Sequence, residues 1–210
     1  AEPAGAAGPF RQTIVVLTSH AGDAGGIPSR LLPDAMAGLD PWVFWASALL
    51  LSIERLAYVA IWRSPDAFQR ASRRAVGALD PVNALAALFV VFKVIQALVF
   101  VAWCLAHGAG LRPASGGIAI PTMGALVVAV GQVLNLSVFA RLGRVGVFYG
   151  NRLGHTVPWY CGFPFSWFSH PQYVGTMLSI WGFFFAMRFP APDWIVLPVI
   201  ETVYYVAGAY

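Results

Sequence analysis

Two histidines, one arginine and a run of aromatic rings crowd the stretch between Gly150 and Gly175. His155 and His170 titrate near neutrality, so either suits the uptake of one proton. Arg152 sits between Gly150 and Gly154. Its guanidinium matches phosphate oxygens in a bidentate fork, and it is equally a residue that snorkels at a membrane edge. Trp159, Tyr160, Phe163, Phe165, Trp167, Phe168 and Tyr173 follow. Their faces attract cations by about 0.5 to 2 kcal/mol without offering a nucleophile, although such rings also populate interfacial belts. Pro171 fixes the chain just ahead of a helix and places Tyr173 and Gly175 in its first turn, where free N–H groups can face a carboxylate. Cys104 and Cys161 form neither a paired framework nor a metal-ligand cluster, so neither disulfide nor zinc chemistry is indicated.

The elements that must position these residues are membrane helices. The 210 residues are 59% hydrophobic and 10% charged, with mean hydropathy +0.69, whereas a soluble domain carries about 25% charge. Five apolar segments run approximately from Trp42 to Trp62, Val82 to Ala106, Ile118 to Ala140, Tyr173 to Met187 and Trp194 to Tyr210. Backbone groups in a bilayer must be satisfied within each segment, and no alternating barrel pattern is visible. The fold class is therefore an all-α integral membrane protein, a bundle of four to five transmembrane helices. Its last two segments form a C-terminal helical hairpin around Arg188–Asp193, and residues 41–210 form one domain. Residues 1–40 are rich in Ala, Gly and Pro, and their one apolar run, Thr13 to Leu17, is too short to span and lacks the flanks of a secretory signal. This segment reads as disordered or poorly ordered. The absence of an opening Met points to a chain that begins inside a longer one.

Positive charge sets an orientation. Arg63, Arg70, Arg73 and Arg74 follow the first segment and Arg141, Arg144 and Arg152 the third, against only Arg112 and Arg188 in the intervening loops. The positive-inside rule puts the two Arg-rich loops in the cytoplasm. Lys93 is the only lysine, and a nucleic-acid partner is not supported. Glu54, Arg55, Lys93 and Glu201 are costly in lipid and must point inward or pair, with Glu54 to Lys93 the expected pair. Gln96, Gln132 and Asn135 are candidates for the same polar interior. On the third helix, Gly124, Gly131 and Asn135 share a narrow stripe, which serves either close helix packing or entry of a ligand. Glycines 143, 146, 150 and 154 recur at three- or four-residue steps, and a helical continuation with a glycine face is expected there. Each costs roughly 1 kcal/mol against Ala, so close packing or a ligand must compensate.

Three runs carry a family resemblance: G-Q-V-L-N from Gly131, G-R-V-G-V-F-Y-G-N-R-L-G from Gly143, and G-F-P-F-S-W-F-S-H-P-Q-Y-V-G from Gly162. Over roughly Pro41 to Tyr210 the chain resembles the phospholipid N-methyltransferases, in particular the plant-type enzymes acting on phosphatidyl-N-methylethanolamine. The H-P-x-Y-x-G portion is shared with isoprenylcysteine carboxyl methyltransferases, while F-P-F and Y-G-x-R-x-G are more discriminating.

The resemblance implies methyl transfer from S-adenosylmethionine, without a metal, to the amine of a membrane phospholipid, yielding phosphatidylcholine. It implies a bacterial inner membrane or endoplasmic reticulum protein whose active site faces the cytoplasm, where the methyl donor is found. The family's Gly-x-Gly for the cofactor corresponds to Ala129, Val130 and Gly131, with alanine replacing the first glycine. Asn135, Gly150, Gly154, Pro171, Tyr173 and Gly175 complete the expected cofactor contacts. Arg152 is the expected clamp for the lipid phosphate. Trp159, Phe163 and Phe165 are the expected cage for the cationic amine. His170, then His155, are candidate bases, and His170 alternatively orders its loop or holds the cofactor. The family also places acidic residues soon after its last apolar helix, a position that falls beyond Tyr210, so the chain is expected to be truncated there. The alternatives are an isoprenylcysteine-type carboxyl methyltransferase, and a non-catalytic membrane scaffold or carrier.

Overall fold

The computed structural model describes residues 38–77, 80–108, 110–113 and 117–209. The expectation of disorder before Asp40 falls almost wholly outside these. Six α-helices account for most of what is described. They are α1 (Pro41–Arg63), α2 (Pro65–Val76), α3 (Pro81–Ala106), α4 (Ala119–Val147), α5 (Pro171–Arg188) and α6 (Val196–Ala209).

Two Asp-Pro pairs start the first long helices. Proline supplies a helical φ at a position that needs no N–H. The preceding carboxylate caps the exposed donors: Asp40 accepts from Trp42 N–H at 2.8 Å and Asp80 from Val82 N–H at 2.7 Å. Helices α1, α3 and α4 are each long and apolar enough to cross a membrane. Helix α5 has 18 residues and α6 has 14, about 27 and 21 Å at 1.5 Å per residue, short of a hydrocarbon core of about 30 Å. They form the expected hairpin, turning through a short 3₁₀ segment at Pro192–Ile195.

Large apolar side chains such as Trp42, Leu49, Leu56, Leu98, Leu126, Val130 and Leu136 are exposed. In water such surface would associate; around a bundle of this kind it is the lipid-facing surface. The inward stripe of α1 is Ser47, Leu51, Glu54 and Ile61, at steps of four, three and seven. That stripe buries a carboxylate in an otherwise apolar row, so a partner for it must lie inside the bundle.

The two ends of the bundle differ. At one, Arg152 Nη2 donates to Trp62 O at 2.9 Å and His155 Nε2 lies 3.0 Å from Asp80 Oδ2, joining the Arg-rich loops. At the other, Arg188 binds Asp193 through Nε and Nη2 at 3.0 and 2.6 Å and also donates to His107 O, while Trp103 Nε1 donates to Asp193 Oδ2 at 3.0 Å. The segregation of arginine expected from the loops is therefore a property of the folded bundle.

Two local expectations are corrected. The loop after α1 contains a helix, α2, with Asp66 in its first turn and Arg73 and Arg74 in its last, each complementing the helix dipole. Phe68 packs it onto the apolar cluster around Ile61 and Val82. The glycine-faced helix expected from Gly143 to Gly154 forms only as far as Val147. Gly143, at φ 61°, breaks α4, and Tyr149 adopts a left-handed φ of 55° just beyond its end.

Helix α4 runs antiparallel along α5 and hardly touches α3. The glycine stripe is the reason. A Cβ on Gly131 would meet Ser179 Oγ at 2.5 Å, one on Gly175 would meet Gly131 O at 2.6 Å, and one on Gly124 would meet Gly182 O at 2.6 Å. The stripe is filled by the backbone of α5, the packing alternative of the two left open above. Gly131→Ala is predicted to lower the thermal stability of the detergent-solubilised protein by about 1 to 3 kcal/mol, since backbone atoms cannot rotate away. Ala129→Leu, on the exposed face of the same turn, is predicted to stay within about 0.5 kcal/mol. Thermal unfolding of both variants measures the difference.

Candidate active site

A cavity of about 560 Å³ lies among α1, α3, α4, α5 and the end of α6, in the half of the bundle that carries the Arg-rich loops. Its wall draws on both apolar clusters, with Leu85 and Phe148 from one and Phe100, Ile180 and Tyr205 from the other. Ligand sites typically occupy about 300–1,000 Å³ and combine apolar walls with a few placed polar groups.

Those polar groups form a connected network. Glu54 Oε1 accepts from Arg55 Nη2 at 2.9 Å and lies 2.9 Å from Lys93 Nζ, which donates to Glu54 Oε2 at 3.3 Å. Lys93 Nζ also donates to Gln96 Oε1 at 3.0 Å, and Gln96 Nε2 donates to Glu201 Oε1 at 2.6 Å. The expected Glu54–Lys93 pair is thus present, extended by Arg55 and by the buried acid of α6. The Arg55 guanidinium lies 3.7 Å from the centroid of the Tyr205 ring, which holds its plane. On the opposite wall Gln132 Nε2 donates to Ser179 Oγ at 2.9 Å, and Asn135 and Tyr173 face the same space. Among the described residues, Arg55 Nε, Tyr58 OH and Asn135 Oδ1 are buried polar atoms without a protein partner, and all three residues line this cavity.

The turn after α4 delivers Tyr149 to the wall. Gly150 N–H donates to Val145 O at 2.8 Å, and Leu153 N–H donates to Tyr149 O at 3.0 Å. This closes the helix with a left-handed residue, a place glycine usually takes. The strained tyrosine packs edge-on against Tyr58 and Trp62, with ring centroids at 6.1 and 5.1 Å. Strain of this kind collects at functional sites. Burial pushes the Tyr149 hydroxyl above the ordinary tyrosine range, so it remains neutral.

Of the residues expected from the sequence, Asn135 and Tyr173 line the cavity. His170 does not, but its exposed ring stacks on Tyr173 with centroids 5.7 Å apart. Tyr173 N–H already donates to His170 O at 3.0 Å, so the first turn of α5 does not offer that N–H to a ligand. Pro171 and Gly175 are buried, and Gly131 with Gly175 forms the α4–α5 contact behind the cavity. Ala129 and Val130 are exposed on the outer face of α4. Gly150 is buried in the turn that presents Tyr149, and Gly154 lies beyond it at φ 92°. His155 is engaged by the Asp80 carboxylate that caps α3, away from the cavity.

The structure does not bring the expected aromatic cage to the wall. Trp159 is 93% exposed, Phe163 is 36% exposed, and Phe165 packs edge-on against Tyr160 with centroids 6.2 Å apart. The rings that do face the cavity are Tyr58, Phe148, Tyr149, Tyr173 and Tyr205, among others. Arg152 is exposed at the membrane edge, over the Trp62 ring at 4.9 Å. Sequence reasoning turned Arg55 inward but passed over Tyr58 and Tyr205 as wall residues. The signal for Tyr58 was present, since it continues the inward stripe four residues after Glu54.

An all-helical bundle with three membrane-length helices and a polar, aromatic cavity at one end is an integral membrane protein built around a ligand site. Residues 120–209 match the family model described as phospholipid methyltransferase. A stretch of 54 residues is 44% identical to the phosphatidyl-N-methylethanolamine N-methyltransferase of Arabidopsis thaliana, covering 26% of this chain and 33% of that protein. The chain thus spans about a third of the curated relative it matches. No solved structure matches.

The network makes its own energetic prediction. Glu54→Ala leaves Arg55 and Lys93 facing each other without a counter-charge, a loss of about 3 to 5 kcal/mol for one partner of a buried pair. Combining it with Lys93→Met is predicted to restore part of the lost thermal stability. Equal unfolding temperatures for the single and double variants would show that the pair is not coupled.

Proposed function

We propose that the chain transfers a methyl group from S-adenosylmethionine to the amine of phosphatidyl-N-methylethanolamine, and of its dimethyl product, yielding phosphatidylcholine. The cavity carries this reading. It is the place where the family's motif residues Asn135 and Tyr173 meet a polar wall, and its size suits a ligand of the donor's class. The substrate reading takes support from the activity of the Arabidopsis relative.

The residues present fit S-adenosylmethionine. Asn135 Oδ1 has no protein donor, Arg55 Nε and Tyr58 OH have no protein partner, and the rings of Tyr173 and Tyr149 line the space where a cation would sit. When bound, S-adenosylmethionine supplies an electrophilic methyl on a positively charged sulfur. The protein's remaining tasks are to align the amine, exclude water and accept one proton. Alignment falls to the walls of α4 and α5, held rigid by their glycine contact. The lipid reaches the cavity between α3 and α4, which barely touch, so the headgroup can enter while the acyl chains stay in the bilayer.

The amine must lose a proton before its lone pair attacks. His170 lies outside the cavity lining but stacks on Tyr173 and is open to solvent, so it takes that proton through an intervening water and returns it to bulk. The N–CH₃ bond forms as the S–CH₃ bond breaks, and the departing sulfur keeps its electron pair.

Membranes containing the protein, given methyl-labelled S-adenosylmethionine, should label phosphatidyl-N-methylethanolamine and its dimethyl form. Label appearing only on a prenylcysteine carboxylate would overturn the assignment in favour of the carboxyl methyltransferase reading. His170→Ala should reduce turnover roughly 10²-fold or more, with near-normal donor affinity and partial recovery at high pH. Loss of donor binding in that variant would assign His170 to holding the loop instead.

A further inference from the structure

Three hydrogen-bond donors converge on the deep wall of the cavity with capacity to spare. Arg55 uses Nη2 on Glu54 and lays its face on Tyr205, but its buried Nε–H has no acceptor. Tyr58, four residues along the same face of α1, has a buried hydroxyl without a partner. Lys93 gives two of its three N–H groups to Glu54 and Gln96 and keeps a side chain 28% exposed.

Arg55 and Lys93 meet the Glu54 carboxylate directly at this wall. Glu201 stands behind Gln96, is 1% exposed, and hydrogen-bonds to neither cation. A guanidinium, an ammonium and a hydroxyl with N–H and O–H groups to spare make a suitable donor set for an oxyanion.

We propose that Arg55, Tyr58 and Lys93 form an oxyanion subsite that anchors one reactant by its phosphodiester or its carboxylate. The inference rests on the methyltransferase reading above and adds the end of the ligand opposite the reacting centre. Two sources share this chemistry, the lipid headgroup phosphate and the amino-acid carboxylate of the methyl donor. Glu54 then acts as a positioning residue, since its carboxylate fixes both cations. Arg152, at the exposed edge, is left to guide headgroups in from the surface.

The test uses the purified full chain in detergent micelles, with titration calorimetry against three probes. These are S-adenosylhomocysteine, its analogue lacking the carboxylate, and a short-chain phosphatidyl-N-methylethanolamine. Tyr58→Phe and Lys93→Met are the variants, because both leave the Arg55–Glu54 pair intact; unchanged unfolding temperature establishes that they fold. If the subsite takes the carboxylate, both variants lose roughly tenfold in affinity for S-adenosylhomocysteine and bind the decarboxylated analogue as the parent does. If it takes the phosphate, both lose roughly tenfold for the lipid and none for S-adenosylhomocysteine. Affinities within twofold of the parent for all three probes, in folded variants, would overturn the subsite. Failure of the parent protein itself to bind any probe would overturn the methyltransferase reading and the subsite with it.

Discussion

Four glycines decide where this bundle is closed and where it is open. Gly124 and Gly131 on α4 meet Gly182 and Gly175 on α5, backbone against backbone, at separations that no side chain would permit. Helices in lipid gain nothing from burying apolar surface against each other, so close packing must hold them together. Helix α4 packs closely along α5 and touches α3 only sparsely, and both α3 and α4 line the cavity.

The second constraint is the cost of charge in an apolar medium. Glu54, Arg55, Lys93 and Glu201 are tolerable in the bundle because they bond to each other directly or through Gln96. Such networks are weak evidence for stability as such, since desolvation offsets much of the attraction. Here the network lies on the wall of the cavity and retains unpaired donors there. Its position ties it to ligand binding more than to folding. The opposite end holds a comparable knot, Arg188 with Asp193, Trp103 and His107, but that knot is buried and its donors are engaged by protein acceptors. The contrast between the two clusters separates a structural clamp from a candidate site.

The long helices were readable because lipid imposes length and apolarity on them, and the Asp-Pro pairs at residues 40–41 and 80–81 mark two starts almost to the residue. Charge pairing was readable too, since Glu54 in an apolar row demands a cation and Lys93 was the available one. Helix α2 escaped notice because its arginines read as loop charge, although its terminal acids and bases complement a helix dipole. The site was only partly legible. Trp159 and Phe163 are exposed and Phe165 packs on Tyr160, whereas Tyr58, Tyr149 and Tyr205 come from three distant elements. Which rings face inward depends on the break at Gly143 and the left-handed turn at Tyr149, and neither conformation is dictated by residue type at those positions.

The central claim is that the methyl donor binds inside the cavity bounded by α3, α4 and α5. Photo-crosslinking with a photoreactive S-adenosylmethionine analogue in native-like membranes, followed by peptide mass mapping, tests it most directly. The account predicts adducts on the inward residues of α4 and α5, such as Gln132, Asn135, Tyr173 and Thr176, competed away by S-adenosylhomocysteine. Competable adducts confined to the outer surface, at Val130, Trp159 or Trp167, would contradict it.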